Sequence, residues 1–88
     1  MVKYLARIVK IHVRTRNVDR YYVSVPKAIY DLLLKKSGSV KKVAVRISNI
    51  DIGIRNIVKL GGSFYISIPP TVAQKLNDEL VEVNLEVV

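Results

Sequence analysis

The sequence contains no cysteine, one histidine and only seven acidic residues among its 88 residues. Without cysteine the chain has no disulfide, no thiolate zinc site and no cysteine nucleophile, which excludes a small secreted protein held by disulfides. His12 alone cannot form a histidine-rich metal cluster. Because 15 lysines and arginines oppose the few carboxylates, the formal net charge is +8. The residues for catalysis are therefore scarce, whereas positive charge is plentiful.

Long uninterrupted apolar runs are also lacking. Lys3, Arg7 and Lys10 break the opening segment, so it has no signal-peptide core. No stretch approaches the roughly 18 apolar residues of a membrane-spanning helix. Half of the residues are hydrophobic, which favours one compact domain over residues 1–88 rather than a disordered basic tail. We expect a cytoplasmic, nucleoid-associated protein without a cofactor or a membrane partner, whose positive charge binds a polyanion such as nucleic acid.

One segment of alternating residues occurs twice, 43 positions apart. Residues 21–26 read YYVSVP and residues 64–69 read FYISIP. In both copies a helix signal and then an alternating strand follow the proline, which lacks the amide proton that a sheet needs and whose fixed φ suits a helix start. The pattern predicts two β-β-α-β repeats, residues 1–48 and 49–88. Since about 45 residues are too few to fold alone, we expect the repeats to share one core.

Each repeat should begin with a hairpin. In the first repeat the period of two predicts a strand whose half-buried face is Val9, Ile11 and Val13. We expect a polar turn at residues 16–19. In the second repeat Gly61-Gly62 predicts a two-residue hairpin turn, because both positions of such a turn favour glycine.

Each hairpin should be followed by a short helix and a strand. The first helix is expected from about Lys27 to Lys36, to bury Ile29, Leu32 and Leu33, and to stop at residues 37–39. The second helix is expected to open at Pro69-Pro70 and to end at Asn77-Asp78. The strands after the helices should bury Val43, Val45 and Ile47 in the first repeat and Val81, Val83, Leu85 and Val87 in the second.

The repeat resembles the AbrB/MazE/SpoVT family of DNA-binding domains. Residues 22–27 (YVSVPK) and 61–69 (GGSFYISIP) carry the likeness, which extends over about residues 9–87. In that family two copies, usually on two chains, interleave their hairpins into one swapped-hairpin barrel. The resemblance therefore implies a mostly β fold with two short helices, in which one chain supplies both halves as a pseudo-dimer. Family members bind double-stranded DNA as transcription regulators or as antitoxins and have no catalytic site, so an enzyme is not expected.

The resemblance also implies a DNA-binding surface. The family places basic side chains on the first strand, the hairpin turn and the return strand, and basic residues occupy these places in both repeats here. The alternation of the first strand adds Lys10 and His12, which we expect to form one outward stripe with the arginines that follow. Such side chains neutralise phosphates, and arginine can also bind guanine edges in the major groove. The expected DNA-binding residues are Lys10, His12, Arg14, Arg16, Arg20, Lys27, Arg55 and Lys59.

The helices depart from the family pattern. Some members carry an arginine pair early in the helix, where this chain has Tyr30-Asp31 and Ala73-Gln74, so the helices lack the arginines that those members carry. A second cluster, Lys35, Lys36, Lys41 and Lys42, either positions phosphates or aids solubility. Residues 1–44 hold 11 basic and 2 acidic residues, a net +9, whereas residues 45–88 hold 4 basic and 5 acidic, a net −1. We therefore expect the first repeat to make most of the DNA contact.

Other functions fit parts of the same pattern. An antitoxin would add a toxin partner, although the last predicted strand runs to the end of the sequence and leaves no tail. Tyr22 and Tyr65 share the outward face of the return strands, where they either stack on the bases of RNA or single-stranded DNA or pack on the barrel. A sequence-independent architectural protein would use the charge alone. Exposed hairpin edges are also compatible with a homodimer.

Overall fold

The computed structural model describes residues 2–38, 42–76 and 80–88. The predicted mostly β class with two short helices is confirmed. Ser39, Lys41, Asn77, Asp78 and Glu79 lie outside the described residues, and so does the predicted end of the second helix. The elements in chain order are β1 (Val2–Val13), β2 (Val18–Val25), α1 (Lys27–Ser37), β3 (Lys42–Ile47), β4 (Ile50–Leu60), β5 (Ser63–Ile68), α2 (Pro70–Lys75) and β6 (Leu80–Val87).

The six strands form a closed barrel in the order β1-β2-β5-β4-β3-β6, and every pairing is antiparallel. β3 pairs only with β4 and β6, and β6 pairs only with β1 and β3. The third strand of each half of the chain is therefore built into the sheet of the other half. Because the barrel is closed, the strands pair along both edges within it. The hairpins therefore leave less unpaired edge for a second copy of the chain to pair with than we expected from the sequence.

The strand registers of the two halves are related by an approximate two-fold symmetry. Between β2 and β5, Tyr21 pairs with Ile68 and Val25 pairs with Phe64. Phe64 lies 43 positions after Tyr21, and Ile68 lies 43 positions after Val25. The two pairs therefore occupy equivalent positions in the two halves. The pairs Val45–Leu85 and Ile47–Val83 between β3 and β6 behave in the same way at an offset of 38. The duplication read in the sequence thus reappears as symmetric strand pairing.

The core fills the barrel with aliphatic side chains from all six strands, and each helix contributes one fully buried residue, Leu33 from α1 and Ala73 from α2. The predicted core residues of β3 and β6 are buried, except Val87, which is partly buried. Tyr4 also lies against the core and donates a hydrogen bond from its hydroxyl to the Ser24 carbonyl oxygen at 2.9 Å. Burial raises the pKa of Tyr4 well above its usual value, so this phenol stays neutral.

The predicted buried face of β1 is wrong. Val9 and Ile11 are 39% and 37% exposed, and the core-facing residues of β1 are Val2, Tyr4, Ala6 and Ile8. The alternation of residues 9–13 is real, but this part of β1 passes beyond the barrel, and of the predicted face only Val13 is partly buried. The strand also begins earlier than the repeat pattern suggested.

One of the three residues predicted to be buried on α1 is wrong. Leu33 is buried as expected and Ile29 is partly buried, but Leu32 is 47% exposed and Tyr30 takes its place against the core. The ring of Tyr30 stacks on Phe64, which rotates the helix away from Leu32. The predicted stop is confirmed at Gly38, which donates its N–H to the Leu34 carbonyl oxygen at 2.7 Å and whose left-handed φ of 77° turns the chain out of the helix.

The two hairpin turns differ. Gly61 and Gly62 form the predicted two-residue turn, with φ values of 58° and 87°. The first turn covers residues 14–17 rather than 16–19, and Val18 and Asp19 belong to β2. Asn17, with φ of 52°, supplies the left-handed residue of this turn, because asparagine tolerates that region better than β-branched Val18.

In the described part of the chain, no helix has both the length and the apolar character needed to cross a membrane.

Candidate nucleic-acid interface

The β1–β2 hairpin projects farther from the barrel than the β4–β5 hairpin. The last equivalent pairs of the two hairpins are Ile11–Arg20 and Leu60–Ser63. Beyond these pairs lie the eight residues 12–19 in the first hairpin and the two glycines 61–62 in the second. The first hairpin therefore carries an extension, residues 12–19, that has no counterpart in the second.

The five cationic residues of the first hairpin are exposed but do not form one stripe. Lys10 faces Tyr21 and His12 faces Asp19 on the side of the hairpin that continues the barrel interior. Arg20 faces Ile11 on the other side. Arg14 and Arg16 lie in the turn itself. Since residues opposite each other across a ladder project to the same side, the predicted single stripe is wrong, and the hairpin is cationic on both faces and at its tip.

His12 and Asp19 contact each other across this extension, with 2.8 Å between His12 Nδ1 and Asp19 Oδ1. Asp19 is the only acidic residue between Met1 and Tyr30. In the residues that the structure describes, no carboxylate lies within salt-bridge distance of Arg14, Arg16 or Arg20. The arginines of the hairpin therefore remain available to an external anion.

The second hairpin lies at the opposite end of the barrel. β2 begins at the tip of the first hairpin and β5 at the tip of the second, and these two strands are antiparallel neighbours. α1 lies beside the second hairpin, because Lys27 borders a shallow depression that Gly62, Ser63 and Phe64 also line. Lys59 approaches the same aromatic ring, with its Nζ 5.8 Å from the ring centre of Phe64. Lys27 and Lys59, which are far apart in sequence, thus lie at the same end of the barrel.

Arg55 does not join this group. It lies in the middle of β4 opposite the buried Val43, is partly buried, and donates a hydrogen bond from Nε to the Ile52 carbonyl oxygen at 3.3 Å. In the register it corresponds to Ala6, because Arg55–Val43 and Ala6–Val81 are equivalent pairs. Arg55 was expected among the basic residues of the second hairpin, but it is not equivalent to any arginine of the first hairpin.

The lysines of α1 and β3 lie at the end that bears the second hairpin. Lys36 lines a depression with Val2 and the chain end at Val88, and Lys42 is the first residue of β3. Lys35, Lys36 and Lys42 are exposed, and Lys41 is outside the described residues. The excess charge of residues 1–44 is therefore divided: arginines occupy the first hairpin, and lysines surround the second. The sequence missed this division because it depends on the exchange of strands between the halves.

Tyr22 and Tyr65 meet on the outer face of the barrel in an edge-to-face contact, with ring centres 6.1 Å apart and planes at 64°. Val9 pairs with Tyr22 and Val58 pairs with Tyr65 in the neighbouring strands. Only 9% of Tyr22 is exposed. The two rings face outward as expected, but Tyr22 offers little surface on which a base could stack.

The polar groups outside the hairpins form no metal-binding cluster within the described residues, where no three His, Asp or Glu side chains converge. The chain was compared with models of known families, with curated proteins and with solved structures, and none of them matches it significantly.

Proposed function

We propose that the chain is a double-stranded DNA-binding transcription regulator whose principal contact is the β1–β2 hairpin. The observation that carries the proposal is the extension at residues 12–19. It projects beyond the barrel, holds Arg14 and Arg16 at its tip, and lies next to Arg20 and Lys10. A hairpin of this kind is a two-stranded ribbon, which the major groove of B-DNA admits.

The barrel topology supports the AbrB-like part of the proposal. An AbrB-like pseudo-dimer needs two copies that complete each other, and here β3 pairs only with strands of residues 49–88 and β6 only with strands of residues 1–48. The symmetric registers of the β2–β5 and β3–β6 pairings agree with two copies of one ancestral unit. We interpret the chain as a swapped-hairpin barrel in which both halves are covalently joined.

The proposed contact uses two kinds of interaction. Arg14 and Arg16 reach base edges in the groove, where a guanidinium can bind O6 and N7 of guanine with two hydrogen bonds. Lys10 and Arg20, lower on the hairpin, neutralise phosphates and release counterions, which makes the affinity depend on salt. The contact between His12 and Asp19 ties the two strands of the extension together without involving the arginines.

The test is the affinity of single variants for duplexes selected by the wild-type chain, measured by fluorescence anisotropy. Arg14→Ala or Arg16→Ala should weaken binding by about 1–3 kcal/mol where a base is read. Arg46→Ala removes the same charge from the outer side of β3, the strand opposite β2 in the barrel, and should leave the affinity nearly unchanged. Equal affinity of the wild type and both hairpin variants would exclude the hairpin as the contact.

The other candidate functions differ in the nucleic acid or partner they need. The low exposure of Tyr22 weighs against the single-strand or RNA reading. Competition of a labelled duplex by unlabelled duplex, single-stranded DNA and RNA separates these readings in one titration. A scrambled duplex that competes equally well would favour an architectural role, and purification of the chain with a bound protein toxin would favour the antitoxin.

A further inference from the structure

We propose that the target duplex is not palindromic, because one end of the barrel reads base sequence and the other end only holds the backbone. The inference rests on the proposed DNA-binding function and names the class of site that it recognises. Arg14 and Arg16 would form the reading end, and Lys27 and Lys59 the holding end.

A symmetric version of this barrel would bind a symmetric site. The strand registers of the two halves superimpose under a two-fold operation, which also exchanges the two hairpins. Proteins with two equivalent reading elements match their two-fold axis to that of a palindromic site. The backbone alone therefore predicts two equivalent half-sites.

The side chains at the two hairpins remove that symmetry. Arg20 corresponds to Ser63 in the register, and Arg7 corresponds to Asn56. The arginine-bearing extension corresponds to Gly61-Gly62, which have no side chain to hydrogen-bond with a base edge. Among the basic residues of the first hairpin, only Lys10 has a basic residue, Lys59, at the equivalent position of the second. The second hairpin thus keeps the shape of the first but not the groups that read sequence.

The end that carries the second hairpin has lysines instead. Lys27 lines a depression together with Phe64, and Lys59 Nζ lies 5.8 Å from the ring centre of Phe64. Exposed Lys36 and Lys42 lie at the same end. A lysine ammonium is a compact point charge without the planar fork of arginine, so it suits a phosphate better than the paired acceptors of guanine. This end supplies affinity that does not depend on sequence. The longest extent of the molecule, 38 Å, is close to the roughly 34 Å of one B-DNA turn, and we infer that both ends contact one duplex.

The first experiment is a selection of bound duplexes from a random pool with the wild-type chain. We expect a motif confined to one side of the protected region, with the other side protected but free in sequence. A motif with two inverted half-sites of equal strength would overturn the inference and leave DNA binding intact. Failure to retain any duplex would overturn both the inference and the proposed function.

Two double variants separate reading from holding. Arg14→Ala with Arg16→Ala should lower the affinity for the selected duplex about tenfold or more, so that it approaches the affinity for a scrambled duplex. Lys27→Ala with Lys59→Ala should weaken binding to both duplexes equally and lower the salt slope by about 2. Loss of sequence preference in the lysine variant would overturn the assignment. Thermal unfolding of both variants verifies that they are folded.

A graft tests the same idea as a gain of function. An eight-residue copy of residues 12–19 replaces Gly61-Gly62, which gives both hairpins the same extension. We expect the selected motif of this variant to acquire a second, inverted half-site. An unchanged one-sided motif in a folded graft that still binds DNA would show that hairpin length and arginines are not what sets the symmetry of the site.

Discussion

The rings of Tyr30 and Phe64 are stacked face to face, with their centres 4.0 Å apart and their planes 4° from parallel. Tyr30 belongs to α1 and Phe64 to β5, so the contact joins a helix of the first half to a strand of the second. It lies at the end of the barrel that α1 covers. This pair therefore contributes to the cohesion of the two halves as well as to the position of the helix.

Tyr30→Ala should lower the free energy of unfolding by about 2 kcal/mol, because it removes a half-buried ring and its stacking contact with Phe64. Tyr30→Phe keeps the ring and should change the stability little. Leu32→Ala, on the same helix but largely exposed, should stay within about 0.5 kcal/mol of the wild type. Urea unfolding followed by circular dichroism measures all three. An equal loss in the alanine variants of residues 30 and 32 would contradict the observed packing of α1.

Replacement of the buried Asn84 by an apolar residue should stabilise the protein. It is 5% exposed, its Nδ2 donates to Glu82 Oε1 at 3.3 Å, and its Oδ1 is buried without a hydrogen-bond partner. An unpaired buried acceptor costs about 1–3 kcal/mol, whereas an apolar group of similar shape has no such cost. Asn84→Leu should therefore raise the free energy of unfolding by about 1 kcal/mol. A lower free energy of unfolding for Asn84→Leu than for the wild type, measured by urea unfolding, would be inconsistent with the cost of the unpaired oxygen.

Substitutions of Gly38 should change the stability only through the backbone conformation of this residue. Its φ of 77° is a left-handed conformation, and a Cβ atom built there would have no heavy atom within 4 Å. Gly38→Ala should therefore destabilise the protein by about 1 kcal/mol through the backbone alone. Gly38→Asn should cost less, because asparagine tolerates this region better. Thermal unfolding at matched concentration compares the two variants with the wild type, and a neutral alanine variant would argue against the observed helix end.

Much of the fold was predictable because its signals are local. Prolines 26 and 69 precede the helices, Gly38 ends the first helix, and Gly61-Gly62 turns the second hairpin, each through the φ values that these residues permit or require. The exposure of Val9 and Leu32 was not predictable from local pattern. It depends on where β1 leaves the barrel and on which helix face meets Phe64, and both are set by contacts between distant parts of the chain.

The candidate site was predictable in composition but not in arrangement. The sequence indicated the cationic residues of the first hairpin, and the structure confirms that they are exposed. Their distribution over two faces depends on the cross-strand register, which places Arg20 opposite Ile11 and not beside His12. Similarly, the proximity of Lys27 to the second hairpin follows from the packing of α1 at the other end of the barrel. A comparison of Lys10 with Lys59 would have revealed the longer first hairpin from sequence alone.

The exchange of β3 and β6 predicts how fragments of the chain behave. A fragment of residues 1–48 keeps the β1–β2 hairpin but gives β3 no partner, and a fragment of residues 49–88 leaves β6 unpaired in the same way. Each fragment alone should therefore be largely unfolded by circular dichroism, since an isolated hairpin is marginal in water. An equimolar mixture should recover β structure and a cooperative, concentration-dependent unfolding transition, because the partners of both strands are then present. A fragment that folds cooperatively by itself as a monomer would contradict the shared core.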